Sequence, residues 1–395
     1  MKLYAQHGWG KVDKIERGLK EVKLDGVILS PHDERPEEMI QFAQNLSASF
    51  EGLDLMLDPQ VYVSLLRDPN EGKLPLYPFY SSDLSLRDFT PRSIQKLVRG
   101  VIDFQRNLPV TAILTPTIIQ NGFTDQSSQV AHSLAQESIE YWGSLSGERR
   151  PILISTAFSE LALAAHDDVG EFLDTISLYD AAGFYLIVDR ADPIYSQGFE
   201  SSRLLQLMRI VYALTRSRFR IICGYSDFLS VMLGAAGAYA GATGWSQKLR
   251  RFNRGRFLPS RGGRQPRERY SSLPLLNSIY LTELDACQDV GRLRTVKSNT
   301  SYDRVFDGHS YPSGVSWPTS ENILHHWATL ARLHRTISMS ETSDRVQGLR
   351  VMIANAEAIY GDLVSRDVRF EVPNGPNHLS NWGDSLEMFS RKFKV

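Results

Sequence analysis

The chain has 395 residues, 42% of them hydrophobic and 23% charged, a balance that excludes a disordered polypeptide and allows one large core or two moderate ones. Its formal net charge of −1 means that any attraction to nucleic acid has to come from a local basic patch. Cys223 and Cys287 are the two cysteines, too few for a disulfide scaffold or an all-cysteine zinc site. No apolar run approaches ~20 residues and the first residues lack a signal-peptide core, so a cytoplasmic protein without a membrane anchor is expected.

Taken in order, residues 3–6 read as a first strand, with Val12, Ile15 and Leu19 following at helical spacing. Residues 26–30 form a buried-type strand broken by Pro31, and Pro36 opens a helix with Met39, Ile40, Ala43 and Leu46 on one face. Strand three, 53–57, leads into a long insertion rich in proline and aromatic residues before a helix capped by Thr90 and opened by Pro91. Strands four to six are expected at 110–114, 151–154 and 183–188. Their helices are expected at about 125–142, at a pattern interrupted at 165–168 that resumes to Tyr179, and at 204–214. Residues 219–223 and 239–243 supply the last two strands, with helices at 228–233 and 247–252. Continuous apolar strands alternating with helices predict a parallel sheet covered on both sides. Eight such units ending at about Phe252 match the span of about 250 residues usual for a (β/α)8 TIM barrel, with an open doubly wound sheet as the alternative. The expected division is a barrel over 1–252, a basic irregular segment over 253–272 and a mainly helical region over 273–395, with helices at 273–290, 320–337 and 343–364.

In a barrel, residues just past the strand ends converge on one mouth. Asp58 and Asp189 end strands three and six across that mouth, a placement suited to acid/base work on a glycosidic bond; a strand-ending turn and a local ion pair are the structural alternatives. Gln6, His7, Gln60, Thr115, Ser155, Arg190 and Tyr225 are the candidate substrate contacts, and Gly224, Gly244 and Ser246 the candidate phosphate contacts. Lys248, Arg250, Arg251, Arg254, Arg256 and Arg264 form a basic run interleaved with Phe252 and Phe257, the mix expected of a nucleic-acid contact or of a brace between barrel and C-terminal helices. The histidines are scattered without metal-ligand spacing, so neither a metal nor another cofactor is expected.

The run from Leu53 to Asp58, the barrel closing near Gly244, and the basic segment and helices after it resemble the tRNA-guanine transglycosylase superfamily. The likeness is to its divergent members in modified-base or antiviral defence clusters. The family's Asp-Ser-Gly-Gly-Phe-Gln after strand three stands here as Asp58-Pro59-Gln60-Val61-Tyr62, matching at the aspartate, and its nucleophilic aspartate corresponds to Asp227. The family's cysteine-rich zinc motif is absent. The resemblance implies a transferase that exchanges a nucleobase through a covalent bond to Asp227, with Asp58 reading the base or moving protons, Asp189 as a substitute, and tRNA or DNA as partner. The alternatives are a non-catalytic barrel subunit that binds other proteins and an enzyme of a small phosphorylated metabolite.

Overall fold

Eight parallel strands form the ring in the computed structural model, which describes residues 1–10, 13–259, 262, 267–338 and 341–395. They are β1 (Lys2–Gln6), β2 (Gly26–Leu29), β3 (Asp54–Leu57), β4 (Ile113–Leu114), β5 (Ile152–Ser159), β6 (Gly183–Asp189), β7 (Arg220–Cys223) and β8 (Ala240–Thr243). The pairing order is β3-β2-β1-β8-β7-β6-β5-β4, with a two-residue strand, Ile119–Gln120, added beside β5. The end strands meet where the Thr111 N–H donates to Leu55 O at 2.7 Å and the Leu55 N–H donates to Thr111 Oγ1 at 2.9 Å. The sheet is thus a nearly closed (β/α)8 barrel, and the open-sheet alternative falls.

Three of the helices start where a side chain accepts from a first-turn N–H. After α1 (Asp13–Arg17), which continues as a wider turn over Gly18–Val22, come α2 (Pro36–Ser49), α3 (Pro91–Arg106), α4 (Gln126–Ser144), α5 (His166–Ile176), α6 (Ser201–Arg216) and α7 (Ser230–Ala235). Thr90 Oγ1 accepts from the Ser93 N–H and Asp125 Oδ1 from the Ser128 N–H, fixing the starts of α3 and α4. The eighth unit departs from expectation. Its helix α8 covers only Gln247–Arg250, after which the chain turns back over the barrel mouth.

The gap beside β1 and β8 is filled from far along the chain. Following a hairpin of β9 (Arg269–Ser272) and β10 (Asn277–Tyr280), and helices α9 (Leu281–Asp289) and α10 (Leu293–Val296), helix α11 (Thr319–Thr336) lies against α1, α7 and β1. Trp327, Leu330 and Leu333 are buried there, and Trp327 Nε1 donates to Thr243 O at 3.3 Å. The eighth covering helix therefore comes from residues 319–336 rather than 247–252. Helix α12 (Thr342–Ser365) packs on α7 and α13 (Asn377–Phe393) on α6. The helix expected over 273–290 is half hairpin and half α9. Val12, Arg261 and Arg264 lie outside the described residues. Among the described residues no helix is long and apolar enough to cross a membrane.

Candidate active site at the barrel mouth

Strand alternation sorts the barrel into rows. Tyr4, Ile28, Met56, Leu153, Ile222 and Ala240 point inward and make an apolar floor, while their neighbours Leu3, Val27, Leu55, Ile152, Ile221 and Cys223 pack against the helices. Further along the strands the inward positions turn polar at Gln6, Ser30, Asp58, Ser155 and Tyr185, with Gly224 and Gly244 at the same end of the barrel. The glycines leave room, because a Cβ at Gly224 would meet the Tyr185 ring at 2.7 Å and one at Gly244 would meet Leu249 at 2.3 Å.

Asp58 is the centre of this row. It is buried, with Oδ1 accepting from the Gln60 N–H at 3.1 Å and Oδ2 from Tyr62 OH at 2.8 Å. Burial pushes its carboxyl up to about 6, against the opposing pull of the Tyr62 hydroxyl and the Gln60 N–H. Around it, Tyr185 OH donates to Gln6 Oε1 at 3.3 Å, and Gln60 Oε1 accepts from Ser30 Oγ and from the His32 N–H, both at 3.0 Å. Gln60 holds a left-handed φ of 55°, which turns its amide back over the mouth. Three of the buried polar atoms, Gln6 Nε2, Gln60 Nε2 and Ser155 Oγ, have no hydrogen-bond partner among the described residues. Polar groups so placed are unusual in a folded core and cost stability unless a water or ligand meets them.

The chain after α8 roofs this chamber. The Arg190 N–H donates to Phe252 O at 3.1 Å, the Asn70 N–H to Phe257 O at 2.5 Å, and the rings of Phe252 and Phe257 lie 5.4 and 6.0 Å from Tyr62. Arg256, 7% exposed, lies over the rings of Tyr225 and Phe257 with its NH2 3.9 Å from Asp33 Oδ2. Outside the roof runs a cleft of about 300 Å³, lined by Tyr195, Gln247, Lys248, Arg251 and Arg256.

No family model and no curated protein matches the chain. The reading of the site therefore stands on its geometry.

That geometry gathers Gln6, Asp58, Gln60, Ser155 and Tyr225 around one chamber and sends the other candidates elsewhere. Thr115 sits behind it, its Oγ1 accepting from the Ser155 N–H at 2.9 Å. His7 faces the helix layer between Phe42 and Trp245, where burial pushes its imidazole down to about 4 and leaves it neutral at pH 7. Arg190 is buried against Glu160 and donates to Gly198 O. Asp189 holds Arg254 of the roof. Asp227 turns toward the C-terminal region: Oδ2 accepts from Tyr195 OH and from Gln197 Nε2 (3.0 Å), and Oδ1 lies 3.3 Å from His326 Nε2 of α11. Burial raises the Asp227 carboxyl and lowers His326 well below its ordinary value. Asp58, Asp189 and Asp227 share no hydrogen-bond partner among the described residues.

The phosphate and nucleic-acid candidates divide likewise. The Gly224 N–H donates to Leu186 O at 2.8 Å and the Gly244 N–H to Leu249 O at 3.0 Å, so both are engaged by backbone, whereas Ser246 is exposed. Arg251 donates to the carbonyls of Ile194 and Asp192, Arg250 to Gly244 O at 3.3 Å, and Arg254 to Asp189, so these three brace the roof and its neighbours. Lys248 is exposed. The aromatic roof and Tyr185 were not singled out in the sequence as chamber residues. The available signal was a tyrosine at an inward position of an otherwise apolar strand, whose hydroxyl needs a buried partner.

Proposed function

We propose that this barrel is an enzyme acting on a nucleobase-bearing substrate, a nucleoside or a nucleic acid such as tRNA or DNA, by base exchange at the glycosidic bond. One observation carries the reading: a buried carboxyl, Asp58, whose pKa lies near 6, is ringed by amides and hydroxyls and roofed by aromatic rings. With the roof lifted, a planar base suits such a ring of groups. Its edge would find the free Gln6 and Gln60 amide donors and the Ser155 hydroxyl, and its faces would stack on rings such as Tyr62 and Phe252. A carboxyl poised near 6 exchanges a proton with a ring nitrogen at physiological pH more readily than an ordinary aspartate. The roof has to lift for the base to enter.

The test is incorporation of radiolabelled purine bases into tRNA and DNA by the purified protein. Asp58→Asn is expected to remove incorporation while leaving the fold intact. Full incorporation by folded Asp58→Asn overturns the assignment. Asp227→Asn then decides whether a second carboxyl takes part.

A second reading is favoured by the closed mouth, with Phe252 and Phe257 filling it and Asp189 and Asp227 engaged by internal partners. On that reading the barrel is a binding subunit without catalysis. Copurification of a stoichiometric protein partner, with no incorporation in its presence, supports it.

A further inference from the structure

On the far side of Gln247 and Lys248 from the first cleft, a second one of about 420 Å³ opens between α8, β9 and the start of α11. That volume lies in the range of small-molecule sites, roughly 300–1,000 Å³. Its lining includes Lys14, Lys248, Arg250, Arg267 and Arg269 against one carboxylate, Glu268. Arg267 is paired with Glu371 at 2.6 Å, whereas the other four cations form no ion pair within 4 Å among the described residues.

Two of the four are deep. Arg250 and Arg269 are 4% and 7% exposed, and a guanidinium so placed needs acceptors. Arg269 donates from NH1 to Ser278 O (2.7 Å) and Asn374 Oδ1 (2.5 Å) and from NH2 to Tyr280 OH (2.9 Å), but its buried Nε–H has no acceptor among the described residues. Arg250 has one acceptor, Gly244 O, at Nε. The cleft therefore gathers five cations around one lining carboxylate, with Asp227 and Glu283 acting on Arg250 and Arg269 only from beyond ion-pair distance. A phosphate group supplies what is missing, with negative charge and several oxygens that match arginine forks.

The wall also carries an aromatic face. Trp245 lines the cleft, and its Nε1 donates at 3.3 Å to the carbonyl of Trp9, a side chain 81% exposed. Trp245 is half-buried with Lys14 Nζ 5.2 Å from its ring centre, and an indole edge beside cations suits a nucleobase next to its phosphate. We propose that this cleft binds the phosphate of a nucleotide, free or within a strand, with Arg250 and Arg269 as inner contacts and Lys14 and Lys248 as outer ones. The assignment concerns binding and stands apart from the chemistry at Asp58.

The experiment is calorimetric titration of the full chain with inorganic phosphate, 5′-AMP and a single-stranded oligonucleotide, at low and at moderate salt. Wild type is expected to bind 5′-AMP or the oligonucleotide more tightly than inorganic phosphate. Preference for the oligonucleotide with a steep salt dependence identifies a strand as the source, and preference for 5′-AMP a free nucleotide. The surface double variant Lys14→Glu/Lys248→Glu is expected to lose at least about tenfold in affinity. The titrations read binding and not base incorporation, so failure of this site and failure of the chemistry at Asp58 are separate outcomes. Absence of binding by all three probes, or a Lys14→Glu/Lys248→Glu protein that binds unchanged, overturns the proposal.

Discussion

Arg254 grips both oxygens of Asp189, its backbone N–H donating to Oδ1 at 2.7 Å and its Nε to Oδ2 at 2.5 Å. The contact ties the roof to the end of β6, so an aspartate at a strand's C-terminal end serves here as a latch on the chamber. Arg254→Ala leaves the backbone bond and removes the charged one. Because the arginine side chain is 39% exposed, the loss in global stability should stay near 1 kcal/mol. Local opening should respond more. Amide hydrogen exchange over 252–257 is expected to quicken in Arg254→Ala and further in Asp189→Asn, with the rest of the barrel unchanged; equal protection in all three proteins removes the latch.

Asp58 ties activity to stability. Its carboxyl ionises near 3.8 when unfolded and near 6 in the fold, where burial penalises the charge. Between those values the folded state holds the proton that the unfolded state has released, so this group's contribution falls as pH rises from about 4 to about 6 and is level beyond. Two units correspond to about 3 kcal/mol at most. Asp58→Asn removes the penalty. The variant should melt higher than wild type at pH 7 and above, and the gain should vanish below about pH 4. Melting curves at pH 4, 6 and 8 check the sign, and a variant destabilised equally at all three contradicts the burial argument.

The strands were legible because buried parallel strands read as continuous apolar runs, and all eight stand within a few residues of the expected positions. The inward row was legible for the same reason: once 53–57 is a buried strand, Asp58 has to end it at the mouth, and Gln6 and Ser155 follow by the same count, whereas Tyr225, next to the inward Gly224, joins them through a left-handed φ of 50°. The eighth covering helix was not legible, since nothing near Phe252 signals that residues 319–336 will fill the gap. The β9–β10 hairpin was hidden by its own leucines. Leu273 and Leu276 continue the helical spacing of the leucines in α9, and the turn places Leu276 at a φ of 50°, a conformation that glycine or asparagine ordinarily marks. The arginines after α8 have the same composition whether they face solvent or hold carbonyls, so composition alone left their role open.

Gly183 opens β6 where it pairs with Arg220 of β7. A Cβ at this position would stand 2.0 Å from Arg220 O and 2.7 Å from Arg220 N, backbone atoms held by the ladder bond from the Arg220 N–H to Ala182 O. The strands have to part to admit a methyl group, so Gly183→Ala should cost about 3 kcal/mol or more. Gly143 on α4 is the control. A Cβ there meets nothing within 4 Å, and Gly143→Ala should stabilise by roughly 0.5–1 kcal/mol through helix propensity. Urea unfolding of the two variants should give opposite signs.

The Arg190–Glu160 pair poses the sharpest energetic question, because both side chains are nearly enclosed, at 8% and 11% exposure. Arg190 also donates to Gly198 O and lies 4.1 Å from the centre of the Phe199 ring, so its position is over-determined. Removing the carboxylate leaves the guanidinium buried with only the more distant Asp192 as countercharge, while Arg203, 3.9 Å from the same Glu160, adds further positive charge. Glu160→Ala is therefore expected to lose about 3–5 kcal/mol. Glu160→Gln, which keeps a neutral acceptor for the Arg190 Nε–H, should lose less. Replacing both partners by methionine removes the desolvation cost along with the attraction, so the double variant should be more stable than Glu160→Ala alone. A double-mutant cycle in urea separates the terms. A Glu160→Ala protein as stable as wild type shows that water reaches Arg190, and that the end of β6 is more open than its burial indicates.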